Sequence, residues 1–99
     1  MNTEETINTK YKNLAIRKAN ELLFRREDAL RLIEDFKESG TIILGMNFWK
    51  REDNNIIESN STDYSAINQG PKAHEKTIGA AKDLIKDSLP DNADYVSFV

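Results

Sequence analysis

The chain has no cysteine. Disulfides and thiolate-held metal sites are therefore excluded, and the composition suits a reducing compartment. It also lacks long apolar runs. No stretch approaches the roughly 20 apolar residues of a membrane-spanning helix. The opening segment, MNTEETINTKYKN, carries no apolar core of a signal peptide. A cytoplasmic protein with no membrane association is the expectation. Hydrophobic residues make up only 38% of the chain, and mean hydropathy is -0.65. The core must be lean and the surface strongly polar. Charged residues, at 31%, are interspersed rather than blocked, which favours a folded domain over a disordered tail. The 99 residues suit one domain, 1–99, with a single core and residues 1–9 loose.

Motifs of catalysis are missing as well. There is no P-loop, G-x-G-x-x-G, G-x-S-x-G or H-E-x-x-H pattern. The one histidine, His74, has no partner at a predictive spacing, so a structural or surface role is expected for it. Glu52, Asp53, Glu58 and Asp63 do not form a calcium-loop pattern. No catalytic residue, cofactor or metal site is expected, and the chain reads as a non-enzyme.

What is present is an organising stretch, Gly40–Trp49, the densest apolar run of the chain. Alternation puts Ile42, Leu44, Met46 and Phe48 on one face, and Thr41, Ile43, Gly45, Asn47 and Trp49 on the other. Both faces carry large apolar groups, so this strand should be central and covered on both sides. Gly45 reads as a bulge or a close-packing site. Before it, Ala29, Leu32, Ile33 and Phe36 share one face of a helix over 26–39. Glu27 and Asp28 favour that helix's first turn, and Gly40 follows as a left-handed cap. Tyr11, Leu14, Ala15, Ala19, Leu22 and Leu23 predict an earlier helix over 10–23, although Leu22–Phe24 also fits an extended lead-in.

After the central strand, the run Arg51–Asn55 contains Asn54-Asn55 and suits a hairpin turn. Ile56-Ile57-Glu58 then reads as a short return strand, and Ser59–Gln69 as a polar loop of functional length. Gly70-Pro71 should open a helix over 71–88 with Pro71 at its first position. His74, Ile78, Ala81, Leu84 and Ile85 lie at helical spacing. Pro90 ends the helix, and Tyr95–Val99 alternates as a last strand. The fold class expected is α+β: a small antiparallel sheet of about three strands, near 41–50, 55–60 and 94–99, with two to three helices packed on it. The expected core is Ile42, Leu44, Phe48, Leu32, Ile33, Phe36, Ile78, Ala81 and Leu84.

The net charge of -3 hides an asymmetry. Residues 1–51 hold ten Lys and Arg against eight Asp and Glu, whereas residues 52–99 hold four against nine. From Glu52 to Pro71 there is no cation. Direct nucleic-acid binding is disfavoured, because it rests on clustered Lys and Arg. A locally acidic face suits a basic partner, although a solvated surface that keeps the protein dissolved explains the same residues.

Arg26-Glu27-Asp28-Ala29-Leu30 and Ile42-Ile43-Leu44-Gly45-Met46-Asn47 resemble the helix and strand motifs of the immunity protein 40 family. So do Tyr64 in the loop, Thr77 and Ala81 in the second helix, and the closing Tyr95–Val99. The resemblance spans roughly Leu22 to Val99. It departs where Met46 replaces a Gly and Asn47 an Asp, so no role of that Asp carries over. Members of that family are small proteins encoded beside bacterial polymorphic and contact-dependent inhibition toxins. The resemblance implies an antitoxin-like inhibitor that binds one cognate toxin domain and blocks it. Many such toxins are nucleases with basic clefts, which an acidic inhibitor would fit. A small adaptor or regulatory protein-binding domain is the alternative. The candidate contact residues are Trp49, Glu52, Asp53, Glu58, Asp63 and Tyr64, although for Trp49 a cap on the core edge is the favoured reading.

Overall fold

The computed structural model describes residues 14–18, 21–67 and 69–99. Among the described residues, two helices and two small antiparallel sheets alternate along the chain, which makes the fold α+β. In order they are β1 (Ile16–Lys18), β2 (Glu21–Leu23), α1 (Arg26–Ser39), β3 (Gly45–Glu52), β4 (Asn55–Asp63), α2 (Ala73–Ile85), a 3-10 turn at Pro90–Asn92, and β5 (Tyr95–Phe98). The larger sheet has the order β4-β3-β5, with β3 in the middle. The smaller pairs β1 with β2.

Helix α1 spans the residues its periodicity predicts and buries Ala29, Leu32, Ile33 and Phe36. Gly40 ends it at φ 75°, a left-handed conformation that glycine adopts without a Cβ penalty. The Gly40 and Thr41 N–H groups both donate to the Phe36 carbonyl. Strand β3 is central and covered on both faces, as its two apolar rows require. Register pairs Met46 with Phe98 and Phe48 with Val96 on the helix side. There they join Phe24, the inward residues of α1, and Ile78, Ala81 and Ile85 of α2 in the main core. The Phe36 ring meets Phe98 edge-on at 5.3 Å. On the opposite face Trp49 and Tyr95 pack with Leu23, flanked by Ile16 and Ile56.

Several expectations are corrected. The helix over 10–23 is absent from its described part, where Ile16–Lys18 and Glu21–Leu23 form a hairpin; residues 10–13, 19 and 20 lie outside the described residues. The extended reading of Leu22–Phe24 is the right one. Leu23 enters the Trp49 cluster while Phe24 enters the main core, so consecutive residues point to opposite faces. Phe24 also exchanges two 2.8 Å backbone hydrogen bonds with Val96, which ties the hairpin to β5.

Residues 41–44 precede the strand rather than starting it, and Ile42 and Leu44 are exposed. Thr41 and Ile43 are buried instead. The Ile43 N–H donates to Thr77 Oγ1 of α2, and the Leu44 N–H donates to the Val99 carbonyl. Inward residues therefore run Ile43, then Met46, and the two-residue alternation slips at Gly45. A Cβ at Gly45 would lie 2.5 Å from the Thr62 carbonyl oxygen, so this close strand approach requires glycine.

The hairpin turn is Asp53-Asn54, with Asp53 at φ 52° and Asn55 already in β4. Strand β4 runs on to Asp63, so the first half of the expected loop is sheet. Helix α2 begins at Ala73 after a turn through Pro71 and Lys72, and ends at Ile85. Its inward face is Ala73, Thr77, Ile78, Ala81 and Ile85, which leaves Leu84 exposed at 41%.

Candidate partner-binding surface

The β3–β4 hairpin carries the acidic residues. Glu52 ends β3, Asp53 forms the turn, and Glu58 and Asp63 lie on β4, opposite Trp49 and Gly45. All four are exposed. Glu52, Asp53 and Glu58 make no ion pair or side-chain hydrogen bond among the described residues, and Asp63 Oδ1 accepts the Ser65 N–H at 2.8 Å. Glu58 and Asp63 are about 16 Å apart along the strand at the usual rise. The fold thus lays the carboxylates in a line rather than gathering them. Unpaired carboxylates in a line raise the negative potential along that edge and suit a basic surface.

The two aromatics are not part of that exposed line. Trp49 is 6% exposed and belongs to the second core cluster. Its Nε1–H donates to Ser97 Oγ at 3.0 Å. The Ser97 hydroxyl in turn donates to Glu21 Oε1 at 2.7 Å, and Asn47 Nδ2 donates to the same oxygen at 2.9 Å. This network fastens β2 across β3 and β5, and it holds Trp49 as a cap on the core. Tyr64 is 7% exposed and packs in the main core. Burial raises its pKa, opposed by the nearby Thr62 side chain. That neighbour does not reach full hydrogen-bond geometry, so among the described residues the buried Tyr64 hydroxyl has no partner. Both aromatics lie in the core, Trp49 on the face of β3 that Leu23 and Tyr95 share and Tyr64 directly after β4.

Glu21 and Ser97 escaped the sequence reading. Ser97 gave a faint signal, as the one polar residue in the run Tyr95–Val99. Glu21 gave none, since its partners lie 26 and 76 positions away. His74 Nε2 lies 3.0 Å from the Phe36 carbonyl. A carbonyl only accepts, so Nε2 carries the proton, and the ring links α2 to the end of α1.

An open cleft of about 410 Å³ lies where the start of α1 meets the chain after α2. Arg25, Arg26 and Arg51 line it together with Glu27, Asp87 and Asp94. Arg51 donates from Nη2 to the Tyr95 hydroxyl at 2.9 Å, and Arg26 donates to the Lys86 carbonyl at 2.7 Å. The balanced charges select no ligand of either sign. Among the described residues no group of carboxylates or histidine is arranged to hold a metal ion, and no helix is long and apolar enough to cross a membrane.

No protein-family model, curated protein or solved structure matches this chain.

Proposed function

We propose that this protein is an immunity protein, which binds a cognate bacterial toxin domain in the cytoplasm and neutralises it by covering its active site or substrate-binding surface. The observation that carries this reading is the line of exposed carboxylates on the β3–β4 hairpin, in a stretch with no cation from Glu52 to Pro71. A basic nuclease cleft is the complementary target, and the inhibitor there competes with nucleic acid for the same charge. The resemblance in Arg26–Leu30, Ile42–Asn47 and Tyr95–Val99 points the same way. These segments are the start of α1, the approach to β3 with that strand's first three residues, and β5 with its flanking residue. Inhibition by occlusion needs a stable scaffold and a complementary surface, not a nucleophile and base. His74, the one histidine, is already engaged with a backbone carbonyl.

The test is co-expression with the toxin encoded beside the gene, followed by binding of purified proteins across salt concentrations. Wild type should restore growth. A variant with Glu52, Asp53, Glu58 and Asp63 all changed to Lys should associate more slowly and lose the salt dependence of its on-rate. Failure of wild type to protect cells from any neighbouring toxin would favour the adaptor reading. Unchanged affinity and salt slope in the folded variant would move the contact face to the acidic residues Asp83, Asp87, Asp91 and Asp94.

A further inference from the structure

The two edges of the β4-β3-β5 sheet are not equivalent. The β5 edge is met by Phe24, which exchanges hydrogen bonds with Val96. The β4 edge has no strand beside it among the described residues. At nine residues β4 is the longest described strand, well above the usual five or six. Proteins commonly blunt such an edge with lysine, proline or a short strand. Strand β4 has neither residue. Its one irregularity is a bulge at Ser59, where Phe48 pairs with Asn60 and Trp49 with Glu58.

Backbone directions along β4 follow from its ends. The Tyr64 N–H donates inward to the Leu44 carbonyl, so Thr62 also faces β3, and Ser61 and Asp63 turn their backbone groups outward. The Ser61 N–H confirms this direction: it donates to its neighbour's Asn60 Oδ1 at 2.8 Å and not to the ladder. By register, Glu58 and Asp63 share the sheet face of Trp49, while Ile57, 44% exposed, shares the face of Lys50. Among the described residues the edge therefore offers outward backbone groups that no strand pairs, carboxylates on one face and an apolar residue on the other.

We propose that the β4 edge binds by strand addition, taking an extended segment of the partner in which basic residues alternate with apolar ones. Basic side chains at every second position meet Glu58 and Asp63, and the intervening apolar ones reach Ile57. Main-chain hydrogen bonds align the segment, and the Asn60 side chain gives up the Ser61 N–H to it. This deepens the toxin-binding reading and rests on it for the identity of the partner.

The experiment titrates the isotope-labelled full chain with a short peptide alternating lysine and valine, and separately with one alternating glutamate and valine. Binding of the lysine peptide should move amide resonances from Ile57 to Tyr64 and weaken with salt. The glutamate peptide should not bind. Ser61→Pro removes an outward N–H, which an edge position tolerates, and should weaken lysine-peptide binding at least about tenfold, as loss of a main-chain bond and its alignment implies. Glu58→Lys keeps every backbone group, so it is safe for the fold, and it should weaken binding and flatten the salt dependence. The proposal is overturned by an absence of saturable binding, by shifts away from β4, by equal binding of both peptides, or by variants that bind as wild type does. It is overturned too if light scattering shows that β4 pairs with a second copy of the chain. A protein that protects cells while its Ser61→Pro and Glu58→Lys variants bind the toxin normally loses strand addition alone. One that takes the peptide at β4 but protects against no toxin loses the immunity reading alone.

Discussion

Gly45→Ala tests the central geometric claim, that β3 and β4 approach too closely at this point for any side chain. The added methyl carbon would sit 2.5 Å from the Thr62 carbonyl oxygen. Ordinary carbon–oxygen contacts lie near ~3.3–3.6 Å, so the overlap is roughly 0.8 Å or more. The obstructing atom is backbone, and no rotamer change can relieve it. Either β4 moves off, or the chain end beside it does. At risk are the bonds from Tyr64 N–H to Leu44 O (3.0 Å) and from Val99 N–H to Gly45 O (3.0 Å). Overpacking costs about 1–3 kcal/mol, and a lost backbone bond adds about 0.5–1.5 kcal/mol. A total of roughly 2–4 kcal/mol should lower Tm by on the order of 10–20 °C in a domain of this size. Urea unfolding followed by circular dichroism measures it, with the m-value checking that the transition is unchanged in kind. Gly79→Ala is the control. Gly79 lies exposed in α2 with nothing within 4 Å of its would-be Cβ, and the change should stabilise by about 0.5–1 kcal/mol through helix propensity. A Gly45→Ala loss below about 0.5 kcal/mol would refute the close-approach argument, since that is the range of an unremarkable surface change.

Three further outcomes follow from the same contacts. Trp49→Phe removes the indole donor to Ser97 and part of a buried ring; it should cost about 1–3 kcal/mol in urea unfolding, and the wild-type indole should fluoresce as a buried group that shifts to the red on unfolding. Tyr64→Phe deletes a buried hydroxyl without a full hydrogen bond, so stability should hold or rise slightly and toxin binding should persist; a marked loss of binding in a folded variant would return Tyr64 to the contact surface. Glu34 is held below the usual carboxylate range by its hydrogen bond and charge attraction to Lys82, at 2.7 Å. A folded pKa below the unfolded one means that the stabilisation is present above the unfolded value and lost as pH falls through the folded value. Carboxyl resonances should show Glu34 titrating low, rising toward the ordinary value in Lys82→Met and at high salt, where this exposed pair is screened.

By itself the sequence determined the elements whose signals are local. Helix α1 is bounded by its own four-residue spacing, its acidic first turn and Gly40, all of which act within one turn of the chain. The centrality of β3 followed from large apolar groups on both its rows, and the acidic character of the hairpin followed from composition alone. Tertiary structure decided what depends on partners distant in the chain. Residues 16–18 and 21–24 could satisfy either a helical or a strand pattern, and the pairing of 16–18 with 21–23 and of Phe24 with Val96 chose the extended form. Ile42 and Leu44 lost their inward places because Thr77 and Val99 hold the backbone of residues 43 and 44 before the sheet begins, and the alternation slips at Gly45. Strand β4 grew through a polar segment because β3 supplied a ladder, overriding the loop preference of Ser and Asn. Trp49 and Tyr64 became core for a similar reason: alternation says that a residue points to a face, but only the hairpin β1–β2 and the two helices decide that the face is covered.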